Sequence, residues 1–273
     1  MIRLAVVLAG ALLATTVAPH AEGQWTKVPT AGVPRTRAGD ADLAAPAPRA
    51  RGRRPDLSGV WLADAEPLPP EAGLSVEPGI ELNRYMINVA ADLAPENVPL
   101  QPWAAELFTQ RLQRGGTDDP VAHCKPTGLP LLNVVPLPFK IVQTPQLVLM
   151  LYEENMVVRQ IFLDGRSRVE GAEPRALGYS TGRWEGNALV VDTVGFSDRH
   201  WLDAMGHPLT EKLHLTERFR RPDAGHLEID VTIDDPGAYT APIAYTIKTA
   251  LVPDDDLLEY FCTDNEKDAQ HYQ

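Results

Sequence analysis

The chain has 273 residues, 44% hydrophobic and 23% charged, an ordinary globular make-up that excludes wholesale disorder. Asp+Glu outnumber Lys+Arg by 37 to 25, and the formal net charge of -12 excludes nucleic acid as an expected partner. Two cysteines rule out a cysteine-rich zinc site, and 25 prolines with 20 glycines predict many turns and few long helices.

Arg3 and the uncharged apolar run from Leu4 to Ala18 read as a secretory signal peptide within residues 1–21. The run is too short for a comfortable bilayer span, and no later stretch is long and apolar enough to form one. The expected location is therefore the periplasm or the medium. There Cys124 and Cys262 meet an oxidising compartment, which favours a disulfide between them.

Residues 22–54 are rich in Ala, Pro and Arg, with seven basic residues against two acidic ones between 24 and 54. Few large apolar side chains occur there, so a disordered tether is expected, free in solvent or touching the acidic body or anionic lipid. Residues 55–273 form the expected single domain. Its 64–100 stretch has many prolines and no strong period, and reads as loops. Pro102 to Gln113 has helical spacing, with Trp103, Leu107, Phe108, Arg111 and Leu112 on one side and Gly115-Gly116 as the stop.

From Ile141 onward the pattern is strand-like. Strands are expected at 147–152, 157–163, 188–193, 212–220, 226–233, 244–252 and 257–262, with an earlier one at 59–63. The fold class is mainly β: an antiparallel up-and-down barrel or sandwich of about eight strands, with one or two short helices. Gly59-x-Trp61 at the first strand resembles the Gly-x-Trp of lipocalin- and calycin-like barrels.

Several blocks together resemble a family of uncharacterised secreted bacterial proteins. They are Pro55-Asp56-Leu57-Ser58-Gly59-Val60-Trp61, Cys124-Lys125-Pro126-Thr127-Gly128-Leu129-Pro130 and Asp164-Gly165-Arg166. The series continues with Gly182-Arg183-Trp184-Glu185-Gly186, Leu189-Val190-Val191-Asp192-Thr193 and Glu217-Arg218-Phe219, and ends with Thr232-Ile233-Asp234-Asp235-Pro236 and Glu259-Tyr260-Phe261-Cys262. The resemblance covers most of the body and implies export and one shared fold, with no activity attached. The chain departs from the family at Asn187-Ala188, where Asp-Thr is usual, and at Leu209, where His is usual.

The segment from Lys212 to Ile233 carries the sharpest local signal. Paired about its turn as a hairpin, with Arg220 opposite His226, it gives one polar face and one face of Leu213, Leu215, Phe219, Leu227, Ile229, Val231 and Ile233. Glu217 breaks that apolar face. A carboxylate there must be paired, hydrogen-bonded or protonated. Arg159 is the best partner, because it shares a strand face with Val157, Ile161 and Leu163, and Glu259 sits similarly between Leu257 and Phe261. Such charges form either a polar pocket in an apolar wall or an ion pair that fixes register.

The loop from Phe196 to Leu213 is the second candidate and carries Asp198, His200, Trp201, Asp203, His207 and Glu211. Trp201 on a polar loop suggests a lid over the barrel mouth. His200, His207 and His214 recur every seven residues but have no common frame for a metal. The candidate acid or base groups are Glu217, His207, His214 and Asp198. The candidate substrate contacts are Arg159, Trp201, Glu259, Tyr152 and Asp192.

No G-x-S-x-G elbow, P-loop, dinucleotide fingerprint or H-E-x-x-H motif occurs, so no metal and no cofactor are expected. Two functions remain in view. One is an exported acid/base enzyme (hydrolase, lyase or isomerase) acting on a small molecule in a barrel pocket. The other is a non-catalytic small-ligand-binding or envelope structural protein.

Overall fold

A computed structural model of the chain describes residues 29–67, 81–167 and 171–262. The expected signal peptide, the start of the Arg-rich segment and the last residues of the body lie outside the described residues.

The elements in chain order are β1 (Gly59–Ala63), β2 (Glu66–Pro67), β3 (Glu81–Leu82), α1 (Arg84–Ile87), α2 (Pro102–Gln113) and β4 (Phe139–Gln143). They continue with β5 (Leu147–Tyr152), β6 (Val158–Phe162), β7 (Tyr179–Glu185), β8 (Ala188–Val194), β9 (His214–Arg220), β10 (His226–Asp234) and β11 (Ile243–Leu251). β4 to β11 pair in sequence and β1 closes the ring between β4 and β11, giving a closed barrel, while β2 and β3 form a separate small hairpin. Closure leaves no bare sheet edge.

The mainly β barrel with few short helices is as expected. The barrel differs from the expected set at three places: β4 and β7 are additional strands, and 257–262 is not one. β7 carries Ser180 and Gly182 at inward positions where a large apolar residue would mark a strand. A Cβ at Gly182 would lie 2.8 Å from Leu163 and 3.0 Å from Ile161, so neighbouring side chains fill that space. Residues 257–262, expected as a strand, form none. With the barrel closed, no edge is free for them, and their amides bond to side chains instead: Leu258 N–H to Glu153 at 2.9 Å and Cys262 N–H to Asn155 at 3.0 Å.

The barrel ring is nine strands. An odd ring cannot alternate direction throughout, so one neighbouring pair must be parallel. That pair is β6 and β7, joined only at Ile161–Ser180 and Phe162–Thr181. All other joints in the ring are antiparallel.

The β9–β10 hairpin differs from the expected register by two residues: Arg220 pairs with Glu228 and Glu217 with Val231. Pro222 to Gly225 makes a wider turn than the minimal loop. A slip of two leaves every side chain on its expected face, whereas a slip of one would have inverted them.

Residues 29–54, expected to be disordered, instead lie along the barrel. Amides of Ala224 and Gly225 donate to the carbonyls of Ala45 and Leu43, each at 2.8 Å. A Cβ at Gly225 would stand 2.5 Å from that of Leu43, so glycine permits this approach. Arg35 forms a two-pronged ion pair with Asp254 at the opposite end of the chain. The segment lacks a core of its own, but backbone hydrogen bonds and the Arg35–Asp254 ion pair tie it to the body.

The disulfide Cys124–Cys262 is present, with a Cα–Cα distance of 5.5 Å across a sequence separation of 138. No described helix is long and apolar enough to cross a membrane.

Candidate functional site

Alternation along β5, β6, β8 and β9 turns Tyr152, Arg159, Thr193 and Glu217 into the barrel. The stretch 127–135 is buried throughout and contributes Asn133 to the same interior. Arg159 grips Glu217 with both guanidinium tips: Nη1 donates to Oε1 at 3.0 Å and Nη2 to Oε2. Its other hydrogens go to Ser180 Oγ at 3.1 Å and Thr193 Oγ1 at 3.0 Å. Asn133 donates to Glu217 Oε1 at 2.8 Å, and Tyr152 donates to Asn133 at 2.7 Å.

Arg159 is 1% and Glu217 0% exposed, and Met150, Phe219, Ile229 and Val231 around them are equally sealed. The pair expected from the strand pattern therefore exists. Its hydrogen-bonding atoms are all taken within the barrel wall, and Arg159 and Ser180 also border a cavity of about 650 Å³. Burial also pushes the Tyr152 hydroxyl far above its ordinary value, so it stays a neutral donor. Glu217, Arg159 and Tyr152 thus hold the barrel together. They are not placed to transfer a proton to a ligand.

Four other expected site residues lie apart. Glu259 and Asp198 are exposed outside the barrel. Asp192 and His214 meet on its outer face, with Nε2 3.0 Å from Oδ1 and Arg183 on the same carboxylate. That ion network lies flat on the sheet. Trp201 is buried in the loop 196–213. The three histidines spaced by seven do not come together, and no group of three metal-ligating side chains occurs among the described residues.

His200 is an apolar plug. Its ring occupies the space of a missing Cβ at Gly128, which would lie 2.0 Å from the ring. It lies near the backbone of Leu129 and Ser197, yet both ring nitrogens are sealed without a well-formed hydrogen bond. Burial pushes its pKa down from 6.5 to about 4. Between those values the unfolded chain binds a proton that the folded protein refuses. Stability is therefore full above about pH 6.5 and falls as the pH drops towards 4, by about 3 kcal/mol at most from this group. Urea unfolding at pH 7.5 and 4.5 should show a drop that His200→Leu largely removes. An unchanged drop in the variant would assign it to other groups.

His207 is set up differently. Its Nδ1 donates to Asp203 Oδ2 at 2.5 Å. The same oxygen accepts from Val89 N–H at 2.8 Å, and Oδ1 accepts from the amides of Gly206 and His207 at 3.0 and 3.1 Å. The loop is clamped by Leu202 N–H to His207 O, and tied to α1 by Ala204 N–H to Met86 O. Because a carboxylate only accepts, Nδ1 carries a hydrogen, and Nε2 is the ring nitrogen left for proton exchange. Nε2 forms no hydrogen bond with a described residue, and the His207 side chain is 2% exposed. Phe108 of α2 stacks on the ring at 4.1 Å between centroids.

Asp203 and Phe108 were visible in the sequence but not singled out. The Asp-x-x-x-His spacing on the loop 196–213 was the available signal. Four cavities of about 350–650 Å³ mark the surface, and neither Glu217 nor His207 lines any of them. Comparison of the chain with protein-family models, curated proteins and solved structures found no match.

Proposed function

We propose that this is an exported small-molecule enzyme using acid/base chemistry, with His207 as the base and Asp203 as the group that orients it. The observation that carries this is the buried Asp203–His207 pair with its unclaimed Nε2. A carboxylate on Nδ1 fixes tautomer and ring orientation and stabilises the imidazolium that forms when Nε2 takes a proton. That proton comes from a substrate carbon or from a water, so the reaction classes are isomerisation, elimination or hydrolysis. Access to Nε2 requires Phe108, which stacks on the ring, to move aside. The apolar leader and the disulfide support export.

Diethyl pyrocarbonate, which acylates accessible unprotonated imidazole, tests the site on the folded protein by peptide mapping. Acylation of His207 is expected, faster in Phe108→Ala, with His200 spared. A His207 as inert as His200 would overturn the assignment. In any turnover assay, His207→Gln should lose roughly a hundredfold or more.

A second reading is a non-catalytic ligand-binding protein. It is favoured by the filled barrel and by a cavity of about 650 Å³ where β6 and β7 part, lined by Val158, Phe162, Arg175 and Tyr179. It requires ligand affinity that His207→Gln leaves unchanged.

A further inference from the structure

Arg111 stands at the last turn of α2, beside the His207 loop. Its Nη1 donates to the carbonyl of Gly206 at 2.8 Å, the residue before His207. Its guanidinium lies 4.8 Å over the Trp201 ring. A Cβ at Gly206, whose φ is +96°, would stand 3.0 Å from the Arg111 stem and 3.4 Å from Trp201. The cation is thus wedged against the same loop that carries the imidazole.

Most other arginines that touch this barrel have a carboxylate. Arg159 has Glu217, Arg35 has Asp254 and Arg183 has Asp192. Arg111 forms no ion pair with any described residue, and Asp118, Asp119 and Asp203 act on it only at longer range. Its Nε–H is sealed without an acceptor, while Nη2 bonds to no described residue and stays open. Burial without a contacting anion lowers its pKa from the ordinary value. A guanidinium desolvated in this way, held by one carbonyl and one ring face, is a fork with no anionic partner among the described residues.

We propose that the substrate of the His207 site is an oxyanion, carrying a carboxylate or phosphate that is held against the Arg111 guanidinium. This rests on the reading of His207 as the base. The fork fixes the anionic end of the substrate, and the imidazole next to Gly206 faces its reacting end. Neutralising that charge offsets the desolvation of Arg111, so binding and orientation come from one contact.

The test uses the full-length protein at neutral pH, titrated with acetate or inorganic phosphate against chloride at matched ionic strength. The readouts are the thermal midpoint and the rate of His207 acylation by diethyl pyrocarbonate. One of the two anions is expected to raise the midpoint and slow acylation, and which one does so distinguishes carboxylate from phosphate. Arg111→Gln should weaken that anion roughly tenfold or more, the scale of a lost charge-assisted hydrogen bond. If that variant does not fold, Arg111→Lys decides, since it keeps the charge and loses the fork, and several-fold weaker binding is expected.

Neither anion acting on the wild-type protein would overturn the proposal, as would equal action on the Arg111 variant. These failures differ from failure of the base assignment. There His207 resists acylation with no anion present, while the thermal midpoint still reports on Arg111.

Discussion

Arg159→Met is expected to lower stability by about 3–5 kcal/mol, because it leaves the Glu217 carboxylate buried and uncompensated. Glu217→Leu should cost a similar amount from the opposite side, because it leaves Arg159 buried and unpaired. Every polar atom of the pair is already matched by Ser180, Thr193, Asn133 or its partner, so nothing nearby can take over. Replacing both charges, as in Arg159→Met with Glu217→Leu, should recover most of the loss. Desolvating two ions costs about as much as their attraction returns, and apolar side chains of similar volume restore the packing. Denaturant unfolding of the four proteins forms a double-mutant cycle. Additive losses in the cycle would mean that the pair is not a coupled unit. If neither single variant is destabilised, the interior is wetter than its 0–1% exposure implies.

The second large effect is expected from the disulfide. Replacing both Cys124 and Cys262 by Ser should cost about 4–5 kcal/mol in the chain-entropy model, because the bond closes a loop spanning 138 residues. The loss falls mainly on the unfolded side, so the folded barrel should keep its spectrum while its denaturation midpoint drops. Reduction of the wild-type protein should reproduce the same drop. The segment 257–262 should become the first site of proteolysis, since only two side-chain hydrogen bonds and a few contacts then hold it. A change below about 1 kcal/mol would show that the unfolded chain is already compact around this bridge.

The barrel was legible where the chain alternates cleanly. β9, β10 and β11 bury every second residue, and that pattern also exposed Glu217 and nominated Arg159. β7 was not legible, because its inward positions hold Ser180 and Gly182, small residues that make room for Arg159 and Leu163. Pairing across a ring is a non-local property, so the parallel β6–β7 joint could be found only by counting strands correctly. Residues 29–54 misled because composition reports the lack of a private core, not the hydrogen bonds a segment finds on its neighbour. The site was half legible. His207 stood out as a histidine, but its distinction from His200 lies in partners brought by Asp203, Val89 and Gly128. Arg111 read as one more cation on a helix, and only folding shows it without a counterion.

The place of β1 in the ring governs the order in which the protein can be made. Trp61 pairs with Phe139 on one side and with Leu251 on the other, so the strand translated first waits for the strand translated last. A nascent chain can pair β1 with β4 midway through synthesis, but the other edge of β1 stays open until β11 emerges, so the ring closes only at the end. Any chain cut short of Ile243 is left with two bare edges, one on β1 and one on β10, each a template for pairing with another molecule. Such a topology calls for a holding factor until the last strand arrives, and it makes ribosomal stalling in the final third of the message a route to aggregation.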